Sequence, residues 1–479
     1  MTILNPSGAY TTSKESMDRM AMLSRPFARP TYYEYQIPYP ADPVTFLRNA
    51  LQHGLLAKDY MLYSGRPSHR RPLQRTEGFQ ENSDEVVIAG NPIARVTVDA
   101  DAITFDYQGK SQRTPVHDPF AQIPSILAQL PLQNWRAYGY IGFDVSRFYY
   151  SYHKAIDYPL LSFFVPGFEA RLTSQGVTVR SLQPVGDVEA LFRNNTNGGH
   201  HYKVTTPTIN LAEQNVYQGR VADLIAAINR GDLHKAIISR SVKLQGNMDL
   251  LGTYALSAQQ NTAARSYCMK LGEVRTVGFS PEILMAVDAN GFVMTNPLAA
   301  TRRRGATPEE DQALYNELFT DAKEVKEHAL SVWLAQSEIE SVCVEGTARV
   351  FDFMEVKKYR TVQHLSSRAG GQLKPGYTLW DGLKALFPGI TVSGIDKAAA
   401  IDWIDRLEDD ARGMYAGGIG WIDSNGTADL AIALRSIFQY GDEIVFRAGA
   451  GIVGESKPDF EYIETVNKMK TMLNYLVMA

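Results

Sequence analysis

Between Tyr217 and Ile228 the apolar residues Tyr217, Val221, Leu224, Ile225 and Ile228 recur every three or four positions, which is the period of one helix face. Gly231 supplies the stop, because glycine accepts the left-handed backbone that closes a helix. Leu233 to Leu244 then reads as a strand. Lys235, Ile237, Ser239 and Ser241 fall on one face, and His234, Ala236, Ile238, Arg240 and Val242 on the other. Thr307-Pro308-Glu309-Glu310 opens another helix, with a capping threonine, proline in the first turn and acids against the N-terminal partial charge. Its pattern runs towards Ile339, with a break near Phe319-Thr320. Ser456-Lys457-Pro458-Asp459 opens the last helix, whose expected buried stripe is Ile463, Val466, Met469, Leu473 and Leu476.

The first two hundred residues alternate on a shorter period. Glu85 to Ala89 and Ala94 to Val98 are rich in strand formers, and Asp99-Ala100-Asp101-Ala102 has the composition of a hairpin loop. Gly139 to Asp144 reads as an aromatic strand whose glycines permit close backbone approach. The polar run Asn194 to His201 is the strongest boundary signal, and it separates an N-terminal half, 1–205, from a second half, 206–479.

Composition narrows the class. The chain has 479 residues, of which 44% are hydrophobic and 21% charged, enough to bury a large core. Its 48 basic and 52 acidic residues give a net charge of −4 without a sustained basic stripe, so nucleic acid is not an expected partner. The short cluster Arg66, Arg70, Arg71 and Arg75 lies among prolines and reads as a solvated loop or an anion site. No run of about 18 apolar residues predicts a membrane span. Two cysteines, Cys268 and Cys343, make no disulfide framework, and a reducing cytoplasm is the expected setting.

The candidate chemistry begins with two carboxylate doublets, Glu324 with Glu327 and Glu461 with Glu464. Spacing of three puts each doublet on one helix face. Should the faces meet, four carboxylates converge and call for a cation, and oxygen-only ligands favour Mg²⁺. The alternative is a set of exposed acids partnered by Lys323, Lys326 or Lys468. Lys235 is either a buried, base-competent amine or a solvated strand-end charge. Glu282, in Gly278-Phe279-Ser280-Pro281-Glu282, is either a protonated general acid or a first-turn carboxylate behind a Ser280 cap. Ala448-Gly449-Ala450-Gly451-Ile452 offers backbone N–H groups to an anion. Arg435, within an apolar run, needs an anionic partner: a salt-bridging acid or a ligand. His364 is either a satisfied interior histidine or a site residue.

In their joint order these runs resemble the chorismate-utilising enzymes, a family that includes anthranilate, aminodeoxychorismate, isochorismate and salicylate synthases. The resemblance is carried by His234 to Arg240, Gly278 to Glu282, Asn296 to Arg302, Lys323 to His328, Val362 to Leu365, Thr391 to Gly394, Gly413 to Gly417, Arg435-Ser436, Ala448 to Ile452 and Glu461 to Lys468. It covers the chain from about Tyr217 to the end. Upstream, only Gly139 to Asp144 and Phe148 look similar.

The resemblance implies an α/β (α+β) fold: one large domain of two halves, with facing antiparallel sheets and helices outside. It implies chorismate as substrate and Mg²⁺ as cofactor, held by Glu327 and Glu464 with Glu324 and Glu461 as further ligands. Thr301, Thr391, Tyr415, Arg435, Lys468 and the amides around Gly449, Ala450 and Gly451 would bind substrate. Lys235 would activate water for attack at ring C2, Glu282 would protonate the departing C4 hydroxyl, and His364 would lie beside the ring.

Within the family, Lys235 points to water rather than ammonia as nucleophile, so no glutaminase subunit is expected. Ala299 stands where aminodeoxychorismate synthases carry a lysine nucleophile. Met61-Leu62-Tyr63-Ser64 is similar to the regulatory segment of tryptophan-controlled anthranilate synthases, with tyrosine replacing its acid. The text around Phe351 to Met354 and Thr391 to Ala399 resembles the salicylate synthases. The expected reaction is therefore isochorismate formation followed by pyruvate elimination to salicylate. The alternatives are an isochorismate synthase or, further off, an aminating enzyme. Ala300, Asp396 and the stretch containing Arg368 depart from the salicylate synthase pattern and bear on which product forms.

Overall fold

The computed structural model describes all residues except 1–31, 39, 66–84, 155, 187, 193–202, 206–211, 262 and 359–361, and leaves the side chains of 189, 190, 212, 299–301 and 323 undescribed. The arginine cluster of 66–75 and the boundary at 194–201 lie outside the described residues.

Strand-forming sequence dominates both halves, and the described residues contain 21 strands joined in one hydrogen-bonded network. Every pairing is antiparallel. The two halves are stitched by backbone as well as by packing. Tyr60–Gly65 pairs with Arg265–Leu271, and Arg136–Ile141 pairs with Gly418–Asp423. One apolar cluster also contains residues of both halves, from Met61 to Tyr462. Helices pack on the strands, and no helix among the described residues is long and apolar enough to cross a membrane.

The predicted elements appear with instructive differences. Glu85–Val98 is a single strand, irregular between Pro92 and Ala94, and it turns through 99–101 into Ala102–Tyr107 as the hairpin reading required. The helix Ala212–Arg230 ends before Gly231, whose φ is +86°. Thr307 caps Pro308–Thr320 through the Glu310 amide, and the break falls at Asp321, before Ala322–Val342.

One alternative is excluded and one expectation fails. Ser280-Pro281 starts no helix: the Ser280 hydroxyl donates to the carbonyls of Glu282 and Ile432, and Ile283–Val287 continues as a strand paired with Ala428–Ile432. Ile463 is 51% exposed, because Pro458–Leu473 turns Glu461, Tyr462, Thr465, Met469, Met472 and Leu473 inward.

Candidate active site

The strand Lys235–Gln245 pairs along Glu443–Ile452, with Gly451 opposite Ile237 and Gly449 opposite Ser239. The Ile237 amide donates to Ser393 O and the Ser239 amide to Glu408 Oε1, so both residues turn their backbone away from the partner strand. In an antiparallel ladder the facing residues then belong to non-hydrogen-bonded pairs, and the amides of Gly449 and Gly451 also point outward. Ala450 sits in the intervening pair opposite Ile238, fully buried and away from the cavity, so its expected role as an amide donor to substrate is not supported by its position.

Backbone leaves no room for a Cβ at Gly449, and at Gly451 a Cβ would press on the Glu327 side chain. A Cβ on Gly451 would lie 2.8 Å from Glu327 Oε1, and one on Gly449 would lie 2.8 Å from the Ile238 carbonyl and 3.1 Å from the Tyr415 hydroxyl.

This surface floors a cavity of about 590 Å³. Its lining includes Lys235, Glu282, Glu324, Glu327, His364, Thr391, Tyr415, Arg435, Gly449, Gly451, Glu461, Glu464 and Lys468, contributed by nearly every motif of the second half. Thr301 pairs through its backbone with His364, which is 5% exposed, but the Thr301 side chain is undescribed.

Lys235 is 4% exposed, which excludes the strand-end reading, and its Nζ lies 2.6 Å from Glu327 Oε1. Glu282 is equally buried. Its Oε1 accepts from Thr391 Oγ1 at 2.5 Å and from the Leu298 amide at 3.2 Å. Burial outweighs these bonds and pushes its pKa up to about 7. Thr391 thus holds the acid.

Arg435 joins Ala428–Ile432 to Ser436–Tyr440 at φ +50°, a left-handed backbone that a non-glycine residue keeps only where its surroundings enforce it. Among the described residues it has no ion-pair partner, so the salt-bridge alternative is absent. Burial lowers its pKa, with Glu464 opposing that shift. Lys468 donates to Gly449 O at 2.9 Å and pairs with Glu464 at 2.5 Å, and the Glu464 charge overrides the effect of burial to hold the ammonium above the ordinary lysine value.

The two carboxylate doublets do share this cavity. Burial raises the Glu324 pKa, and Glu327 and Glu464 add to it, so the two helix faces feel each other's charge. The repulsion is relieved by basic side chains, Lys235 on Glu327, Lys468 on Glu464, and Arg302, which reaches Glu324 at 3.4 Å. Among the described residues no three acidic, histidine or cysteine side chains stand close enough to grip a metal ion. The donor set is nevertheless the oxygen-only kind that suits Mg²⁺.

Several residues escaped the sequence reading. His328, beside Glu327, is fully buried against Ser367 Oγ at 2.8 Å, and burial, followed by the Lys235 charge, lowers its pKa to about 4. A buried carboxylate, Glu408, is shared by Arg412, behind the cavity, and Arg447, which borders it. The i, i+4 spacing of Glu408 and Arg412 was the available signal, and nothing local pointed to Arg447.

The positions departing from the salicylate synthase pattern can also be placed. Asp396 is exposed beside His234 at 3.2 Å, and Arg368 is paired with Asp352 on a buried strand, so neither lines the cavity. Tyr63 donates to Asp429 at 2.5 Å, where Arg265 also binds.

Among known proteins the chain is 32% identical over 402 residues to the salicylate synthase of Mycolicibacterium paratuberculosis, covering 83% of this chain and 89% of that protein. Anthranilate synthase component 1 of Haloferax volcanii is 39% identical over 262 residues, 54% of this chain and 50% of that one. The crystal structure of anthranilate synthase component I from Streptococcus pneumoniae TIGR4 superposes with a TM-score of 0.69 at 28% identity, covering 84% of this chain and 95% of that chain. The family model described as chorismate binding enzyme matches residues 69–474, and the chain belongs to that family.

Proposed function

We propose that this chorismate-binding enzyme is a Mg²⁺-dependent salicylate synthase that works without a glutaminase subunit. The observation carrying the reading is the presence, in one cavity, of a buried lysine and a buried glutamate whose pKa burial raises to about 7. An aminating enzyme has no use for a lysine base at that place, whereas hydration at C2 needs one.

In the proposed first step Lys235, as the neutral amine, takes a proton from water as the water oxygen bonds to ring C2. The ring double bonds shift, and the C4–O bond breaks as Glu282 delivers a proton to the leaving hydroxyl. Isochorismate forms and water leaves, so one water is consumed and one released. Arg435, the ammonium of Lys468 and the outward amides of Gly449 and Gly451 orient the carboxylates, and Tyr415 borders the same floor.

In the second step the C2 hydrogen passes to the enolpyruvyl methylene as the C3–O bond breaks, giving salicylate and pyruvate. That step needs chiefly a held conformation and a dry site, with His364 beside the ring. Glu327 and Glu464, with Glu324 and Glu461, would hold Mg²⁺, which when bound supplies positive charge to a substrate carboxylate.

The test is purified protein with chorismate and Mg²⁺ and no ammonia, read by NMR. Salicylate and pyruvate in equal amounts are expected, and Lys235→Ala should form neither. Isochorismate as the end product would make the chain an isochorismate synthase. Anthranilate appearing only when ammonia is added would overturn the role given to Lys235.

A further inference from the structure

Behind the cavity floor, Glu408 is 2% exposed and fully engaged. Its Oε1 accepts from the Ser239 amide at 2.6 Å, Ser239 Oγ at 2.9 Å and Arg412 Nη2 at 2.6 Å. Its Oε2 accepts from Arg412 Nε at 3.0 Å and Arg447 Nη2 at 2.6 Å. Arg412 directs its remaining donors at two carbonyls, Ile237 O at 2.6 Å and Val392 O at 2.7 Å.

One of those carbonyls belongs to the strand that carries the base, and the other to the turn whose threonine holds the acid. Ile237 lies on the Lys235 face of its strand, two residues on. Val392 follows Thr391, whose hydroxyl holds Glu282. Arg412 also begins the turn that presents Tyr415, accepting the Tyr415 amide on its own carbonyl at 3.2 Å, and its guanidinium lies 5.8 Å from the Tyr415 ring.

A buried ion cluster is a poor device for stability alone, since well-packed apolar side chains serve as well or better. A planar fork that grips a strand and a turn at fixed angles is a good device for geometry. We infer that Arg412, oriented by Glu408 and Arg447, is a positioning residue that fixes the spacing between the Lys235 arm and the Glu282 arm.

The inference rests on the acid and base roles proposed above, and its test is therefore read as chorismate consumption by the Mg²⁺-supplemented full chain, whatever the product. Arg412→Lys keeps the charge but cannot hold both carbonyls and the carboxylate together. Its kcat should fall about 10²-fold, the penalty of a displacement on the order of 1 Å, while KM for chorismate stays within about threefold. The alkaline limb of its kcat/KM profile should move upward as Thr391 loosens from Glu282.

Arg265→Lys is the control. Arg265 is similarly buried, forks onto Asp429 and lines no part of the cavity, so its kcat should stay within about threefold of wild type. A wild-type kcat in Arg412→Lys, or an equal loss in Arg265→Lys, overturns the inference. If Arg412→Lys does not fold, Glu408→Gln takes its place in the same assay, and failure of both to fold assigns the cluster to stability and overturns the inference as well. Absence of chorismate consumption by the wild-type chain would instead strike the proposed function.

Discussion

Glu282 and Glu408 are both buried, the first lining the cavity and the second behind its floor, yet their pKa values move in opposite directions. Glu408 sits between two guanidiniums whose attraction outweighs burial and holds it below the ordinary glutamate range. For Glu282 burial wins: its direct partners are a hydroxyl and one amide, and the Lys235 and Lys468 charges act on it more weakly. Desolvation acts on both; the partner decides the outcome. A charged clamp thus stands behind a carboxyl whose pKa burial raises to about 7.

Removing the titrating group tests the comparison most severely. Glu282→Gln keeps the shape and both hydrogen-bond partners within reach but has no proton to give, so kcat should fall by about 10³-fold with little change in thermal midpoint. Wild-type activity should fall as pH rises through about 7, because the acid must be protonated. The sign for stability agrees. A carboxyl whose folded pKa exceeds its unfolded value binds more protons when folded, so stability is greatest below the unfolded value, near 4.5, and is lost as pH rises through about 7. Chemical denaturation at pH 5 and 8, compared between wild type and Glu282→Gln, measures that contribution.

Glu408→Leu should show the opposite profile, a stability loss of about 3 kcal/mol in urea, because two buried guanidiniums lose their counter-charge. A neutral result there would mean that the arginines find other partners and that the charged clamp has been misread.

The smallest effect is expected from Thr391→Val. It removes the hydroxyl that favours the Glu282 anion, so the alkaline limb of the rate profile should move to higher pH, with a stability change of about 1 kcal/mol. A limb that stays in place would detach Glu282 from that limb.

Much of the site was legible because its residues stand in local contexts that constrain them. Lys235 alternates with Ile237 on a strand face, Glu324 and Glu327 share a helix face, and the Gly-Ala-Gly alternation marks a strand that something approaches closely. What was misplaced depended on rotation and partners. Ile463 fitted an apolar stripe, but Pro458–Leu473 is turned to bring Glu461 inward, and a hydrophobic pattern assigns such a carboxylate to water. Ser280-Pro281 has the composition of a helix start, yet the Ser280 hydroxyl donates to the Ile432 carbonyl, on a strand some 150 residues away in the chain.

The sequence by itself determined the period of the segments it marked and which residues are candidates for chemistry, because those follow from neighbours a few positions apart. Only the tertiary structure decided which charges meet. Lys235 finds Glu327, Arg302 finds Glu324, and Glu408 joins Arg412 to Arg447. Whether a buried carboxyl keeps its proton depends on those long-range partners and on exclusion of water, and neither is written in local order.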